Sequence, residues 1–213
     1  MKLYNYFRSS ASFRVRIALE LKGLGYDYMP VHLLKKENLQ DTYKAIAPTG
    51  LVPALVMDDG TVLEQSMAMI EYLDETHPEP PLLPRDALGR QKVRALSQLI
   101  ACEIHPLNNT RVLRYLTHDL KLDEEIRATW YRHWVRDGLE AYERELARLP
   151  ASRFSYGDAP TMADCLLVPQ VFNGKRFNTP FDGLTRTMQA FDNCMAHPAF
   201  QKAQPSNCPD NEA

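Results

Sequence analysis

The sequence predicts a chain of two parts, a small mixed α/β unit followed by an all-helical unit. Strand and helix signals alternate over the first 79 residues, whereas only helical patterns follow the proline-rich segment HPEPPLLPRD. Because proline interrupts helices and strands, this segment is expected to be a linker. We therefore expect an α/β domain over residues 1–79, a linker over 80–85 and an all-α domain over 86–213.

The α/β domain is expected to follow the order β-α-β-α-β-β-α. KLYNYF favours a strand, and the serines of RSSAS are suited to cap the helical segment FRVRIALELK. YDYMPVHLL favours a second strand, and a short helix is expected around residues 39–45. Asp59-Gly60 lies between two β-prone runs and predicts a hairpin, after which LEQS begins the last helix. This order implies a small mixed sheet with helices on its faces.

The all-α domain is expected to contain at least three helices. The first spans about residues 87–118, with a kink where proline follows His105. The second spans about residues 123–149, and a third begins in DAPTMADCLLVPQVF. Thr161 and Asp164 have the spacing of a capping box at its start, with Asp in place of Glu or Gln.

The composition argues against several classes of protein. A net charge of −2 over 213 residues lacks the basic excess of nucleic-acid binders. No run approaches the roughly 18 apolar residues that span a bilayer. Basic residues interrupt the N-terminal region where a signal peptide requires an apolar run. We therefore expect neither nucleic acid nor a membrane as a partner.

The cysteines argue for a reducing compartment. The spacings of the four match neither a zinc site nor a CxxC motif. They are Cys102, Cys165, Cys194 and Cys208. We expect no metal site, and reduced thiols in a cytoplasmic protein. Cys102 and Cys165 are expected to be buried as small apolar side chains.

Five segments in order resemble the zeta class of the glutathione transferases. They are YFRSSASFRVRIALELKG, TGLVPAL, LEQSMAMIEYLDE, IHPLNNTRVLRYL and VPQVFNGKRF. The last two resemble segments of bacterial maleylacetoacetate and maleylpyruvate isomerases. The resemblance covers about residues 1–205. It implies an α/β thioredoxin-like N-terminal domain with an all-α C-terminal domain, glutathione as the cofactor, a homodimer and a cytoplasmic location.

One position departs from the pattern of the family. Many zeta-class members have a cysteine after the paired serines, and this chain has Ala11 there. A role for that thiol cannot carry over. The departure favours a mechanism in which the sulfur of glutathione is the only nucleophilic sulfur.

The paired serines are expected to be catalytic. Isomerising a cis double bond requires a nucleophile that adds, allows rotation and leaves, so the site must stabilise the glutathione thiolate. Ser9 and Ser10 precede a helix, whose N-terminus favours an anion. The motif position favours Ser9 as the hydrogen-bond donor to sulfur. The alternative is that both serines only cap the helix.

The resemblance implies further contacts to glutathione. A cis Val52-Pro53 bond would turn the Val52 main chain toward the cysteinyl part, and Gln65 with Ser66 suit the γ-glutamyl carboxylate. The alternatives are an ordinary loop proline and simple capping by Ser66. Asn108 is a further candidate for lining the site, and Lys175 is a weaker candidate than the arginines named below. The expected glutathione-binding residues are Ser9, Ser10, Asn38, Val52, Gln65, Ser66, His105 and Asn109.

Three arginines are expected to bind the substrate. A maleyl keto-acid carries carboxylates at both ends, and guanidinium groups bind carboxylates with two parallel hydrogen bonds. The candidates are Arg8, Arg111 and Arg176. Arg8 and Arg176 are also expected to be catalytic, because cations stabilise the charge that develops on the conjugated oxygen. The alternative for each is a solvated helix surface.

The resemblance implies a glutathione-dependent cis–trans isomerase acting on a small dicarboxylate keto-acid. We expect the conversion of maleylpyruvate to fumarylpyruvate in gentisate-type aromatic acid degradation, because VFNGKRFNTPFDG differs from the stretch associated with maleylacetoacetate isomerases. A maleylacetoacetate isomerase of tyrosine degradation remains an alternative. So do a conjugating or dehalogenating glutathione transferase, which the arginines disfavour, and a non-catalytic interaction module, which the serines disfavour.

Overall fold

The computed structural model describes residues 1–212, which form two compact units. The first combines residues 1–82 with the chain from Met195 onward, and the second comprises residues 83–194. Each unit is described by itself below. No helix in the described part of the chain is both long and apolar enough to cross a membrane.

The first unit contains a four-stranded sheet of β1 Lys2–Asn5, β2 Asp27–Pro30, β3 Ala54–Val56 and β4 Val62–Glu64. The strands lie in the order β2-β1-β3-β4. β1 and β2 are parallel, and the other two pairs are antiparallel. The hairpin between β3 and β4 turns at Gly60, whose φ of 87° is the left-handed conformation that favours glycine. Both the hairpin and the element order predicted from the sequence are confirmed. The elements are β1 Lys2–Asn5, α1 Ser10–Leu21, β2 Asp27–Pro30, a 3₁₀ turn Glu37–Leu39, α2 Asp41–Lys44, β3 Ala54–Val56, β4 Val62–Glu64 and α3 Ser66–Thr76.

The core of this unit forms between the sheet and two helices. α1 and α3 each contribute two apolar side chains four residues apart, which therefore lie on one face of the helix. These side chains pack against Leu3 of β1 and Leu55 of β3. Burial of each contributes about 1.5–3 kcal/mol. The fully buried cluster is Leu3, Val15, Leu19, Leu55, Met69 and Leu73.

The C-terminal residues complete the first unit. Arg16 of α1 is buried, and its guanidinium donates to the Ala203 and Phe7 carbonyls and to Asn5 Oδ1 at 2.9, 3.0 and 2.9 Å. The sequence prediction placed residues 195–212 in the all-α domain. They lie instead on the first unit, because helix α10, Pro198–Ala203, packs on α1 and supplies the carbonyl that this buried cation requires.

The second unit is helical. Its elements are α4 Ala87–Gln98, a π-helical segment Leu99–Ile104, α5 His105–Asn108, α6 Thr110–Arg114, a second π-helical segment Tyr115–Asp119, α7 Glu124–Ala147, α8 Met162–Arg176 and α9 Thr185–Met195, whose last residue falls in the first unit. α10 Pro198–Ala203 and a 3₁₀ turn Pro205–Asn207 follow in the first unit. The predicted helix over residues 123–149 is confirmed by α7.

The predicted helix over residues 87–118 is divided, and its break is not at His105. Pro106 lacks an N–H but lies in the first turn of α5, where none is needed. The chain becomes extended at Asn109, with φ −72° and ψ 164°. Its side chain accepts the N–H groups of Arg111 and Val112 at 3.0 and 3.2 Å, so that Asn109 caps α6.

α8 is the buried helix of the second unit. The Asp164 carboxylate accepts the Thr161 N–H at 2.7 Å and the Ser155 N–H at 2.9 Å, and the predicted capping box is present. Burial raises the pKa of Asp164, whereas these hydrogen bonds lower it. Cys165 is buried as expected, but Cys102 is exposed on the first π-helical segment, so its predicted burial is wrong.

Candidate functional site

Ser9 caps α1 at the end of a tight turn. Its Oγ accepts the Ser12 N–H at 3.2 Å, and its own N–H donates to the Tyr6 carbonyl at 3.0 Å. The Ser9 hydroxyl thus acts as an acceptor and keeps its proton for donation to another group. Ser9 is half-buried and Ser10 is buried. This geometry favours Ser9 over Ser10 as the outward donor, as the sequence motif predicts.

Arg8 lies in the same turn as Ser9. Its side chain is exposed, and its guanidinium lies 4.8 Å from the centroid of the Phe7 ring. A guanidinium over an aromatic face is held by a cation–π interaction that leaves its N–H groups available. The turn therefore carries an exposed positive charge one residue before Ser9.

The loop before β3 presents free main-chain groups. The Val52-Pro53 peptide bond is cis, which confirms that prediction. Within residues 1–212, the Val52 N–H and C=O have no hydrogen-bond partner. The preceding residues are held, because Tyr43 Oη donates to the Leu51 carbonyl at 2.6 Å and Asn38 Nδ2 donates to the Gly50 carbonyl at 2.8 Å. Asn38 thus has a role in shaping this loop.

The start of α3 carries a strained residue and a buried cation. Gln65 has φ 67° and ψ 107°, a conformation that costs a residue with a side chain about 1–3 kcal/mol. Such strain is typical of functional sites. Ser66, the next residue, accepts from Arg14 Nη1 at 3.2 Å, and Arg14 is 3 % exposed. The helix N-terminus and this guanidinium together favour an anion.

Arg14 and Tyr43 are site components that the sequence interpretation missed. Arg14 belongs to the segment RVRIAL, which was interpreted only as a family motif and a helix. A charged residue in an otherwise apolar helix is the signal that could have identified it. Burial raises the pKa of Tyr43, so its phenol stays neutral and donates to Leu51. Nothing in the local sequence distinguishes Tyr43 from a core tyrosine.

The remaining predicted residues lie in the second unit. Arg111 and Arg176 are exposed, and Arg176 Nη1 donates to Asn173 Oδ1 at 3.1 Å. The end of α8 is anchored by Phe177, whose ring stacks on Tyr131 with centroids 3.9 Å apart. His105 is half-buried in α5. These three residues stay predictions for substrate and glutathione binding.

Asn109 and Asn108 differ from the expectation. The Asn109 side chain is engaged within its own unit, accepting two helix N–H groups and donating to the Pro106 carbonyl at 3.1 Å. This structural role accounts for the residue without glutathione. Asn108 is 6 % exposed, and its Nδ2 has no partner within residues 1–212. A buried amide donor without an acceptor is costly, which makes Asn108 the better candidate of the two.

No group of three or more His, Cys, Asp or Glu side chains in residues 1–212 could hold a metal ion. A cavity of about 360 Å³ lies in the second unit among α4, the first π-helical segment and α7. None of the predicted site residues lines this cavity, so we do not assign the reaction to it.

The first unit, with a cis-proline before β3 and a polar helix start on α3, defines a glutathione transferase type of protein. The family model described as the glutathione S-transferase N-terminal domain matches residues 3–81. The chain is 50% identical to a maleylpyruvate isomerase of Ralstonia sp, over 99% of this chain and 100% of the relative. It is 45% identical to a maleylacetoacetate isomerase of Pseudomonas aeruginosa, over 100% of both.

Solved structures agree with these relatives. A holo structure of a maleylpyruvate isomerase, described as a bacterial zeta-class glutathione transferase, has a TM-score of 0.96 and 47% identity over 99% of both chains. A maleylacetoacetate isomerase from Methylobacterium extorquens AM1 with bound malonate and glutathione has a TM-score of 0.96 and 34% identity over 100% of both. The chain belongs to the zeta class of the glutathione transferases. The predicted family and fold class are confirmed.

Proposed function

We propose that this chain is a glutathione-dependent cis–trans isomerase that converts maleylpyruvate to fumarylpyruvate in gentisate-type aromatic acid degradation. The observation that carries the proposal is the Ser9 hydroxyl at the start of α1, with its proton available, in a chain similar over its length to maleyl-acid isomerases. Glutathione is the cofactor, as in the related structure that contains it.

The residues of the first unit suit the parts of glutathione. The unpaired main chain of Val52 fits the cysteinyl peptide, because an extended peptide binds through paired N–H and C=O groups. Gln65 and Ser66, with Arg14 behind Ser66, fit the γ-glutamyl carboxylate. Asn38 holds the loop that presents Val52. The cysteinyl and γ-glutamyl parts of glutathione thus each have a group of matching chemistry in the first unit.

When bound, glutathione supplies a thiol sulfur that adds to the conjugated double bond of a maleyl acid and departs after rotation about the resulting single bond. Ser9 donates a hydrogen bond to that sulfur, and the N-terminus of α1 favours its negative charge. Ala11 offers no competing thiol. Burial raises the pKa of Cys208, so the cysteine of the first unit stays protonated.

The arginines account for the choice of substrate. Arg8, in the turn with Ser9, stabilises negative charge on the substrate oxygen that is conjugated to the reacting double bond. Arg111 and Arg176 have exposed guanidinium groups that suit carboxylates. The malonate bound to a relative is a small dicarboxylate of this kind. A conjugating enzyme for apolar electrophiles has no need of these cations.

A maleylacetoacetate isomerase is the second candidate, favoured by the 45% identity to the Pseudomonas aeruginosa relative. Purified protein with glutathione should be assayed on both acids and on an aryl halide. We expect the higher kcat/KM for maleylpyruvate and little activity with the halide. A higher kcat/KM for maleylacetoacetate would reverse the order of the two candidates, and activity on the halide alone would refute an isomerase.

Family similarity also leads us to propose a homodimer in the cytoplasm. Light scattering at assay concentration measures the oligomeric state, and a mass of about one chain would contradict the dimer. The chain mass for that comparison is 24.4 kDa. Cell fractionation tests the location.

A further inference from the structure

The turn that carries Arg8 and Ser9 is held at Phe7 from both sides. The Phe7 carbonyl accepts from Arg16 Nη2 at 3.0 Å. The Phe7 N–H donates to Oδ2 of Asp210 at 3.2 Å, across 203 positions of sequence. Phe7 directly follows Tyr6, whose carbonyl closes the turn with the Ser9 N–H. Both main-chain groups of one turn residue are therefore fixed.

Asp210 is itself held in place. Its other oxygen, Oδ1, accepts from Tyr28 Oη. Burial, followed by this hydrogen bond, raises the pKa of Tyr28, so the phenol remains a donor. Two residues earlier, Cys208 is buried in a cluster with Tyr6 and Phe7. The carboxylate thus bridges β2 and the turn.

We propose that Asp210 is a positioning residue, which orients the Phe7–Ser9 turn, and with it the Ser9 hydroxyl, through the Phe7 N–H. Its effect on catalysis rests on the function proposed above, and its effect on the turn does not. Without the carboxylate, the Phe7 peptide loses one of its two restraints. Because small errors in the placement of a catalytic group have large effects on rate, turnover should fall.

Two substitutions at Asp210 separate positioning from charge. Asp210→Ala removes the acceptor. Asp210→Asn retains it, because the amide oxygen can accept the Phe7 N–H while the amide nitrogen donates to the Tyr28 oxygen. Glu212→Gln is a matched control in the same segment. Glu212 bonds His32 at 3.2 Å and Lys35 at 3.3 Å.

Amide hydrogen exchange at Phe7, measured without glutathione, reports the turn directly. We expect exchange to be about tenfold faster or more in Asp210→Ala than in the wild type, the Asn variant and the control. With glutathione, we expect kcat of Asp210→Ala to fall about tenfold. The KM for glutathione should change much less. The Asn variant should recover most of kcat.

Unchanged Phe7 exchange in Asp210→Ala would overturn the inference, whatever the activity of the wild type. So would equal losses of kcat in the Ala and Asn variants, which would indicate a role for the charge rather than for the hydrogen bond. Faster exchange in Asp210→Ala together with an inactive wild type would support the positioning of the turn by Asp210 and refute the proposed function. The two failures are therefore distinguishable.

Discussion

Replacing Ser9 by alanine removes two interactions at once, and their costs are measured separately. The Ser9 side chain accepts the Ser12 N–H at 3.2 Å, and loss of such a cap costs about 0.5–2 kcal/mol of the free energy of unfolding. Loss of the hydrogen bond to a charged sulfur costs about 1.5–3 kcal/mol. That cost corresponds to a turnover lower by about 10- to 150-fold. Urea unfolding measures the first, and kcat at saturating glutathione measures the second.

Two variants control for this experiment. Ser9→Thr keeps both the cap and the hydroxyl and should retain most of the stability and turnover. Ser10→Ala alters the buried neighbour and should leave turnover closer to that of the wild type. The KM for glutathione should rise less than kcat falls in Ser9→Ala, since the Val52 and Ser66 contacts remain. A loss of stability with unchanged turnover would show that Ser9 only caps α1.

The remaining predictions concern substrate, cofactor and core. Arg176→Ala should raise the KM for maleyl acids by about 10- to 100-fold, as expected for a lost hydrogen bond to a charged group. The KM for a neutral maleyl analogue should rise much less. Equal rises in KM for both substrates would contradict carboxylate binding by Arg176. Protein purified without glutathione and assayed in thiol-free buffer should show no isomerase activity. Full activity under these conditions would contradict a mechanism in which glutathione supplies the nucleophilic sulfur. Gly138→Ala should destabilise the protein by about 1–3 kcal/mol, because the added Cβ would lie 2.2 Å from Cγ1 of Ile104, which is fully buried. Urea unfolding measures the loss. It should be smaller when Ile104→Ala is introduced in the same chain, because alanine lacks Cγ1 and Cδ1. A more stable Gly138→Ala variant would refute the close contact.

Local patterns predicted the elements whose causes are local. Asp59-Gly60 marked the hairpin because a turn requires a residue that tolerates positive φ, and Gly60 adopts φ 87°. Thr161 and Asp164 marked the start of α8 because the capping interaction spans one helical turn. The cap at Ser9 was predictable for the same reason.

The features that sequence interpretation missed depend on distant partners. Nothing near Arg16 indicates that its acceptors include a carbonyl at Ala203, so residues 195–212 were placed in the wrong unit. The position of the helix break at Asn109 could be located only from the capping geometry, because the sequence HPLNN permits a break at either end. Cys102 was expected to be buried from its residue type alone, and its exposure depends on the orientation of the π-helical segment.

The Arg16 bond to Ala203 also has a consequence for how the chain is made. Residues 1–82 leave the ribosome before the whole second unit, and residues 195–212 leave after it. During that interval the guanidinium lacks the Ala203 carbonyl, one of its three acceptors. The first unit therefore stays incompletely bonded until a segment that follows the second unit has been synthesised. A chain truncated after Cys194 would keep every strand of the sheet and still lack this closing bond.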